Sequence, residues 1–404
     1  MSAIDANSVL ALASSLSKLR RFSCDPMKVL VLCYEYPPLG GGGGRVARTV
    51  AEQLVARGHK VRVQTAGMKH LPAHEIIGGV EVFRSLAFRR FEDRCSVPEM
   101  GYFCATSFLP AVRHCRTWKP DVIHAHFAVP TGALAWSVHR LTGVPYVITA
   151  HLGDVPGGFP EQTDTLFRFA GGAAKWIWRD AAAVTAVSTF VQQLAERAYH
   201  RPVTRILNGI DLADARSNPQ RVGEPPHLVF VGRLNPQKCP LFLIDLLATV
   251  RDLPWKLTLV GDGMLMPDVR ARIAAHALDD RVALPGWVSG SEVQGTLHEA
   301  DILLLPSSAE GLPVAAIEAL KHGLAVFASD IPGVHDVVED SRNGYRLPVE
   351  DLNAWSQRLR ATLQAPEKLL GMRQASWAKA SDFDLTRIAS EYETVLRSAA
   401  GPKS

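Results

Sequence analysis

From Met27 onward, apolar runs of strand length alternate with stretches whose apolar positions recur at helical spacing. "KVLVLCYEY" (28–36) is a continuous apolar run of the kind buried on both faces. A glycine-rich turn follows, and then "RVARTVAEQLVARGH" places Val46, Val50, Leu54 and Val55 on one helical face, with Gly58 suited to its C-cap. "KVRVQTA", "DVIHAH" (121–126), "PYVITAH" (145–151), "AAVTAVS" (182–188) and "TRILNGID" (204–211) read as further strands, each separated by a helix-length segment. A polar, proline-containing stretch at 212–226 interrupts the pattern and reads as a linker. The alternation restarts with "HLVFVGRL" (227–234), "WKLTLVGDG" (255–263), "VALPGWV" (282–288), "ADILLLPSS" (300–308) and "LAVFASD" (324–330).

Strand–helix alternation of this kind predicts parallel sheets covered on both faces, here an α/β chain of two doubly wound, Rossmann-like domains facing a cleft. The expected organisation is an N-terminal arm (1–26), a first domain (27–211), the linker (212–226), a second domain (227–380) and a closing helix with its tail (381–404). Ligands of such sheets sit beyond the carboxyl ends of the strands. The conspicuous polar residues fall there: Gly40–Arg45, His126, His151, Arg233, Lys238 and Glu310 each follow a strand.

Composition narrows the class. The chain has 404 residues, 47% hydrophobic and 21% charged, which is long and apolar enough for two cores and rules out a disordered chain. A net charge of +4 is far from a nucleic-acid signature. The six cysteines form no C-x-x-C, so neither a zinc site nor a secreted disulfide scaffold is expected, and a reducing cytosol is. No apolar run is long enough to span a bilayer. Near the N-terminus Val9, Leu12, Leu16 and Leu19 fall near helical spacing, but Lys18, Arg20 and Arg21 follow the apolar stretch, where a secretory signal has its charges in front. The segment reads as an amphipathic arm.

The segment richest in chemistry is "LLLPSSAEGLPVAAIEAL" (303–320). A strand ends, a serine-rich turn follows, and Glu310-Gly311-Leu312-Pro313 opens a helix, with Pro313 suited to its first turn. Gly311 allows close approach of a ligand, and the free N–H groups of Leu312 and Val314 favour an anion or a hydroxyl-rich group. Glu310 and Glu318 set two acceptor carboxylates at different depths beside that helix mouth, which suits a polyhydroxylated ligand carrying phosphate.

Glu310 and Glu318, separated by seven residues with G-L-P between them, resemble the E-x7-E signature of the family 4 retaining glycosyltransferases of the two-domain GT-B fold. The resemblance extends from Met27 to about Leu396, because "NGID" (208–211), "VGRLNPQK" (231–238), "LVGDG" (259–263), "LPGWV" (284–288) and "RNGYRLPVED" (342–351) stand in that family's order. "SDFDLTRIASEYETVL" resembles its closing helix, which crosses back onto the first domain. The resemblance implies transfer of a hexosyl group from a nucleotide-sugar, UDP-linked in the first place and GDP-linked in the second, with retention at the anomeric carbon. The nucleotide-sugar is a substrate, and neither a cofactor nor a metal is expected.

By the same resemblance Arg233 and Lys238 bind the donor diphosphate and stabilise the charge that develops on it, a task suited to a bidentate guanidinium and a mobile ammonium. Glu318 holds the ribose hydroxyls, and Glu310 lies near the donor sugar's hydroxyls. Gly311, Leu312 and Val314 offer backbone N–H groups, and His151 hydrogen-bonds the sugar near the reacting carbon. Gly41 and Gly42 face the diphosphate, and Gly43, Arg45 and His126 are the candidates for acceptor contacts. His124 and His126, two apart on one strand face, lack a second ligand pair and are expected to be polar packing, with His126 at the rim of the cleft. Asp382-Phe383-Asp384 resembles a D-x-D metal motif, but it precedes the last helix, where Asp384 reads as an N-cap.

Other readings remain open from sequence: a GT-B sugar-nucleotide epimerase, a non-catalytic sugar-nucleotide-binding protein, and an NAD(P)-dependent oxidoreductase built on Gly42-x-Gly44-x-x-Ala47. The last lacks an acidic residue after the next strand, which ends in Gln64-Thr65. The acceptor is expected to be a glycan, a lipid-linked molecule or a small molecule, in bacterial surface polysaccharide assembly. "FRSLAFRRFEDR" (83–94) interleaves Phe83, Phe88 and Phe91 with Arg84, Arg89, Arg90 and Arg94, which suits peripheral contact with the inner face of the cytoplasmic membrane.

Overall fold

The computed structural model describes residues 25–92, 95–158 and 174–402. The N-terminal arm before residue 25, with its helical apolar stripe, and Arg94 lie outside the described residues. The first sheet has eight strands: β1 (Lys28–Cys33), β2 (Lys60–Gly67), β3 (His74–Ile77), β4 (Val80–Leu86), β5 (Val122–His126), β6 (Tyr146–Ala150), β7 (Ala183–Ala186) and β8 (Thr204–Arg205). Their order is β3-β4-β2-β1-β5-β6-β7-β8, with only β3 antiparallel to its neighbour. The second sheet holds β9 (His227–Val231), β10 (Lys256–Val260), β11 (Val282–Gly286), β12 (Ile302–Leu305), β13 (Ala325–Ser329) and β14 (Gly344–Leu347) in the order β11-β10-β9-β12-β13-β14, all parallel. Every residue of β5, β6, β12 and β13 is buried, because helices cover both faces of each sheet.

In each sheet the strand order reverses beside the first strand of its domain, between β1 and β5 and between β9 and β12. Such switch points leave a crevice at the carboxyl ends of the strands. The chain leaves β1 into the glycine turn, β5 into Phe127, β9 into Arg233 and β12 into Glu310, so the two crevices supply the two walls of one cleft.

The chain crosses between the domains at two adjacent places. Ile210 N–H donates to Phe383 O at 2.9 Å and Leu385 N–H to Ile210 O at 3.0 Å. The last helix, Leu385–Ala400, then lies along the helix Gly42–Ala56 of the first domain, where Glu393 pairs with His59 at 3.2 Å. The stretch read as a linker is fastened to the second domain by a buried ion pair between Asp301 and Arg373. Asp301 accepts from His227 N at 2.8 Å and Gly223 N at 3.2 Å, and Arg373 donates to Arg221 O at 2.7 Å.

Three local expectations change. The helix after the glycines begins at Gly42, inside the glycine run, with Gly41 as its cap. Pro313 is the cap of the helix Val314–Lys321 and not part of its first turn. The segment 83–94 is partly sheet. Phe83 lies in β4, stacked on His74 at 4.4 Å and against His114 at 4.5 Å. Arg84 is buried and paired with Glu75, and Arg89 is buried and donates to Tyr34 O at 3.2 Å. Of the residues expected on a lipid surface, Phe88, Arg90 and Phe91 are exposed.

Candidate active site

The glycine turn owes its shape to three anchors. Gly40 takes a φ of 93°, a left-handed value that glycine adopts without strain, and its N–H donates to Glu92 O at 2.7 Å. Gly41 N–H donates to the Glu35 carboxylate at 3.1 Å. The chain then winds into the helix Gly42–Ala56, which has no acidic residue in its first turn. Across the cleft the helix Val314–Lys321 also starts without an acid. A Cβ on Gly42 would lie 3.5 Å from the Val314 side chain, so two helix N-termini face each other over one cavity. Each brings unpaired N–H groups and the positive end of its dipole, an arrangement that attracts anions.

The cavity has a volume of about 310 Å³ and draws its lining from both domains. From the second domain come Arg233 and Lys238 after β9, Trp287 after β11, and Glu310 through Val314, with Glu318 a turn deeper. Lys238 is set by a short 3-10 turn, Pro236–Lys238, whose cap Asn235 accepts from Lys238 N at 3.2 Å. The neighbouring Gln237 ties this turn to the Glu310 loop by accepting from Ser308 N at 2.8 Å and donating to Ala309 O at 2.8 Å. Lys238 and Glu310, both largely buried, form an ion pair at the heart of the cavity. Burial raises the Glu318 carboxyl above its usual range, while Arg45 across the cleft and Lys321 on its own helix pull it down.

From the first domain come the glycine turn, Arg45, Phe127, His151, Leu152 and Asn208. His151 is buried, and burial drops its imidazole to about 4, so the ring is neutral at neutral pH. Its backbone N–H donates to Asp154 at 2.8 Å, and Asp154 also accepts from the N–H groups of Ala128 and Val129. Burial pushes the Asp154 carboxyl up to about 8 against those three donors. The domains also touch beside the cavity, where Asn208 donates to Leu312 O at 3.4 Å and a Cβ on Gly311 would meet the Leu152 Cβ at 2.9 Å. The arrangement therefore combines an anion trap with two carboxylates and a neutral imidazole in a crevice between two lobes.

Comparison with known proteins decides what such a crevice belongs to. The model for "Glycosyltransferase Family 4" matches residues 40–214, and that for "Glycosyl transferases group 1" matches residues 225–365. The chain is a family 4 glycosyltransferase. It is 27% identical over 399 residues to the glycogen synthase of Mycobacterium tuberculosis, across 92% of this chain and 95% of that protein. Among solved structures it resembles the sucrose-phosphate synthase of Thermosynechococcus elongatus, with a TM-score of 0.77 at 20% identity over 91% of this chain and 98% of that one. It also resembles Anabaena HepE in complex with UDP and glucose, with a TM-score of 0.72 at 21% identity over 92% and 99% of the two chains. Both likenesses establish the GT-B fold of this glycosyltransferase.

Of the residues singled out in the sequence, Gly41, Gly42, Gly43, Arg45, His151, Arg233, Lys238, Glu310, Gly311, Leu312, Val314 and Glu318 all line the glycosyltransferase cavity. His126 does not. Its ring is wholly buried behind His151, with centroids 5.9 Å apart, and neither ring nitrogen finds a hydrogen-bond partner among the described residues. It cannot touch an acceptor from there. His124 is the polar packing expected of it, bonded to Thr149 at 2.7 Å. Asp384 accepts from Thr386 N at 3.0 Å as an N-cap, and Asp382 reaches Lys379 at 3.3 Å; neither lines the cavity. Among the described residues no three His, Cys, Asp or Glu side chains are grouped so as to hold a metal ion. β2 runs past Gln64, which is bonded to Ser85 at 2.9 Å, and ends at Gly67, so the strand is longer than expected; Gly67, Met68 and Lys69 put no acid there, where an oxidoreductase keeps its ribose acid. Sequence reasoning gave no role to Phe127, Asp154 or Asn208, although Asn208 opens the quoted "NGID", Phe127 follows His126 and Asp154 stands three residues after His151.

Proposed function

We propose that this glycosyltransferase moves a hexosyl group from a nucleoside diphosphate sugar, a UDP-sugar first, to a hydroxyl of a glycan, lipid-linked or small-molecule acceptor, with retention and without a metal. The observation that carries the reading is the convergence of Arg233, Lys238 and two acid-free helix N-termini on one interdomain cavity. Four positive groups are enough to take a diphosphate without a bridging cation. In this reading the bond from the anomeric carbon to the diphosphate oxygen breaks while the acceptor oxygen bonds to the same face. The acceptor proton passes to the departing diphosphate. Lys238 leaves Glu310 to follow the developing negative charge, and the freed Glu310 accepts from the sugar hydroxyls. His151, neutral at working pH, offers one hydrogen bond near the reacting carbon. Glu318 accepts from the ribose hydroxyls.

The placement of the acceptor is read from the first domain. Phe88 and Tyr102 touch at 5.1 Å and, with Phe91 and Arg90, form an exposed aromatic edge on the lobe that carries the glycine turn. This edge is the surface for a lipid-linked acceptor at the inner leaflet, in surface polysaccharide assembly. Co-sedimentation with anionic vesicles at low salt is expected, and its absence would remove the membrane from the account. The reaction itself is tested with a panel of UDP-, GDP- and ADP-sugars in EDTA, with and without a glycan acceptor mixture. Nucleoside diphosphate release that depends on acceptor, with the anomeric configuration kept in the NMR spectrum of the product, is the expected result. A free isomerised sugar from donor alone would overturn it.

A further inference from the structure

Phe127 is an aromatic residue in a conformation that aromatic residues avoid. At the end of β5 its φ is 72° and its ψ 120°, on the left-handed side where a bulky side chain crowds its own backbone. Such strain persists only where the surroundings over-determine it, and it clusters at functional sites. Here the backbone is held on both sides: Phe127 N–H donates to Thr149 O at 3.0 Å, and Phe127 O accepts from Gly132 N at 3.0 Å. The turn throws the ring out of the sheet and into the cleft. There it lies almost flat on the His151 imidazole, with centroids 4.4 Å apart and planes 29° apart, while the Tyr34 ring meets it edge-on at 4.8 Å. Gly43 meets the two rings at their edge. A methyl at Gly43 would overlap the tip of the Phe127 ring and sit 3.5 Å from His151 Cε1.

Asp154 holds His151 from one side, closing a capping box in which its carboxylate takes the His151 backbone N–H and its own backbone N–H faces the His151 side chain. The other ring nitrogen, Nε2, has no hydrogen-bond partner among the described residues, so the plane of the ring is left to its neighbours. We infer that Phe127 is a positioning residue for sugar transfer: stacked on His151 with its tip against Gly43, its ring sets the plane of the imidazole beside the glycine turn. The inference rests on the proposed place of His151 beside the donor sugar. It also gives Gly43 a reason that helix propensity does not, since alanine would otherwise suit that helical position better than glycine.

The test is built on a readout that simple loss of packing elsewhere would not move. The titration of His151, followed by NMR of labelled histidine, reports the ring's burial. Around the imidazole stand His124, His126 and Asp154 from its own lobe and Lys238 and Glu310 across the cavity, and none of these changes in the variants. Phe127→Gly suits the left-handed backbone and deletes only the ring. It is expected to lift the His151 midpoint from about 4 toward its ordinary value of about 6.5, and to lower kcat at least tenfold with KM for the donor within threefold. Phe127→Tyr sets a hydroxyl on the ring tip that meets Gly43, and is expected to lower kcat as a methyl on Gly43 does while leaving the His151 midpoint low. Gly43→Ala should lower kcat like the loss of the ring, and adding Phe127→Leu should recover part of it, because the methyl takes the room that the shorter side chain vacates. An unmoved His151 titration in Phe127→Gly, or strictly additive losses in the double variant, would overturn the inference. If instead His151→Ala transfers sugar normally, the proposed role of His151 fails, and the titration still decides whether Phe127 positions it.

Discussion

Lys238 and Glu310 are bound to each other before any substrate arrives, and each is the other's compensation in a largely buried place. Removing one member of such a pair leaves an uncompensated charge, which costs more than removing both. Lys238→Ala is therefore expected to lower stability by about 2 kcal/mol as well as turnover by roughly a hundredfold or more. The Lys238→Ala/Glu310→Ala double variant should regain most of that stability while remaining inactive. Thermal melts of the three proteins decide this, and a double variant less stable than both singles would contradict it. At this scale the sequence was informative where side-chain chemistry and spacing suffice. Arg233, Lys238, Glu310 and Glu318 were all legible, and all line the cavity. Phe127 and Asp154 were not, because their parts depend on a left-handed backbone and on a carboxylate folded back onto amides, neither of which has a pattern in the chain. His126 misled for the same reason: its place at a strand end said nothing of the ring that closes over it.

The glycine turn is where the elements argue most directly with propensity. Gly44 lies within the helix Gly42–Ala56, where alanine would be favoured by about 1 kcal/mol. A Cβ there would stand 2.8 Å from the Glu35 carbonyl oxygen, and backbone cannot step aside cheaply. Gly44→Ala is thus expected to lower the melting temperature despite its better propensity. Gly41 behaves oppositely: nothing lies within 4 Å of a Cβ there, and its φ of −115° is open to any residue. Gly41→Val should fold with an unchanged melting temperature and lose turnover, since the new side chain projects where the diphosphate is proposed to lie. A melting temperature that falls in Gly41→Val and holds in Gly44→Ala would reverse this reading of the turn. Most strands announced themselves as continuous apolar runs, because helices cover both faces. The hairpin of β3 and β4 did not, since its burial alternates and its inward arginine, Arg84, is neutralised by Glu75 only once folded. The strand β14, four residues with an arginine among them, is too short to carry a pattern.

Across the whole molecule the buried histidines set the response to acid. Burial lowers His114, His151 and His322 to about 4 and His124 to about 3, and takes His126 well below its ordinary value. In the unfolded chain each regains a pKa of about 6.5, so below that pH the unfolded state binds more protons and stability drains away as pH falls toward 4. Asp154 acts in the other sense. Raised to about 8, it is protonated in the folded chain, so its contribution is lost as pH rises from about 4 through 8. Glu318, also raised by burial, acts as Asp154 does, while His59 and His227 are lowered like the other five. Seven histidines outweigh two carboxyls, and the melting temperature is expected to be clearly lower at pH 5 than at pH 7; an equal or higher value at pH 5 would contradict the burial of these rings. The two-lobed architecture was readable from strand–helix alternation alone, whereas the fastening of 212–226 to the second lobe through Asp301 and Arg373 was not, since that pair joins residues far apart in the chain.

The central claim is that the cleft captures a nucleoside diphosphate with protein groups alone, through Arg233, Lys238 and two facing helix N-termini. Isothermal titration of UDP, GDP and ADP into the full chain in EDTA tests it most directly. The account predicts saturable binding of one of them, with UDP foremost, weakened at least tenfold in Arg233→Ala and again in Arg233→Ala/Lys238→Ala. Binding that appears only when a divalent metal is added, or that survives both substitutions undiminished, would contradict it.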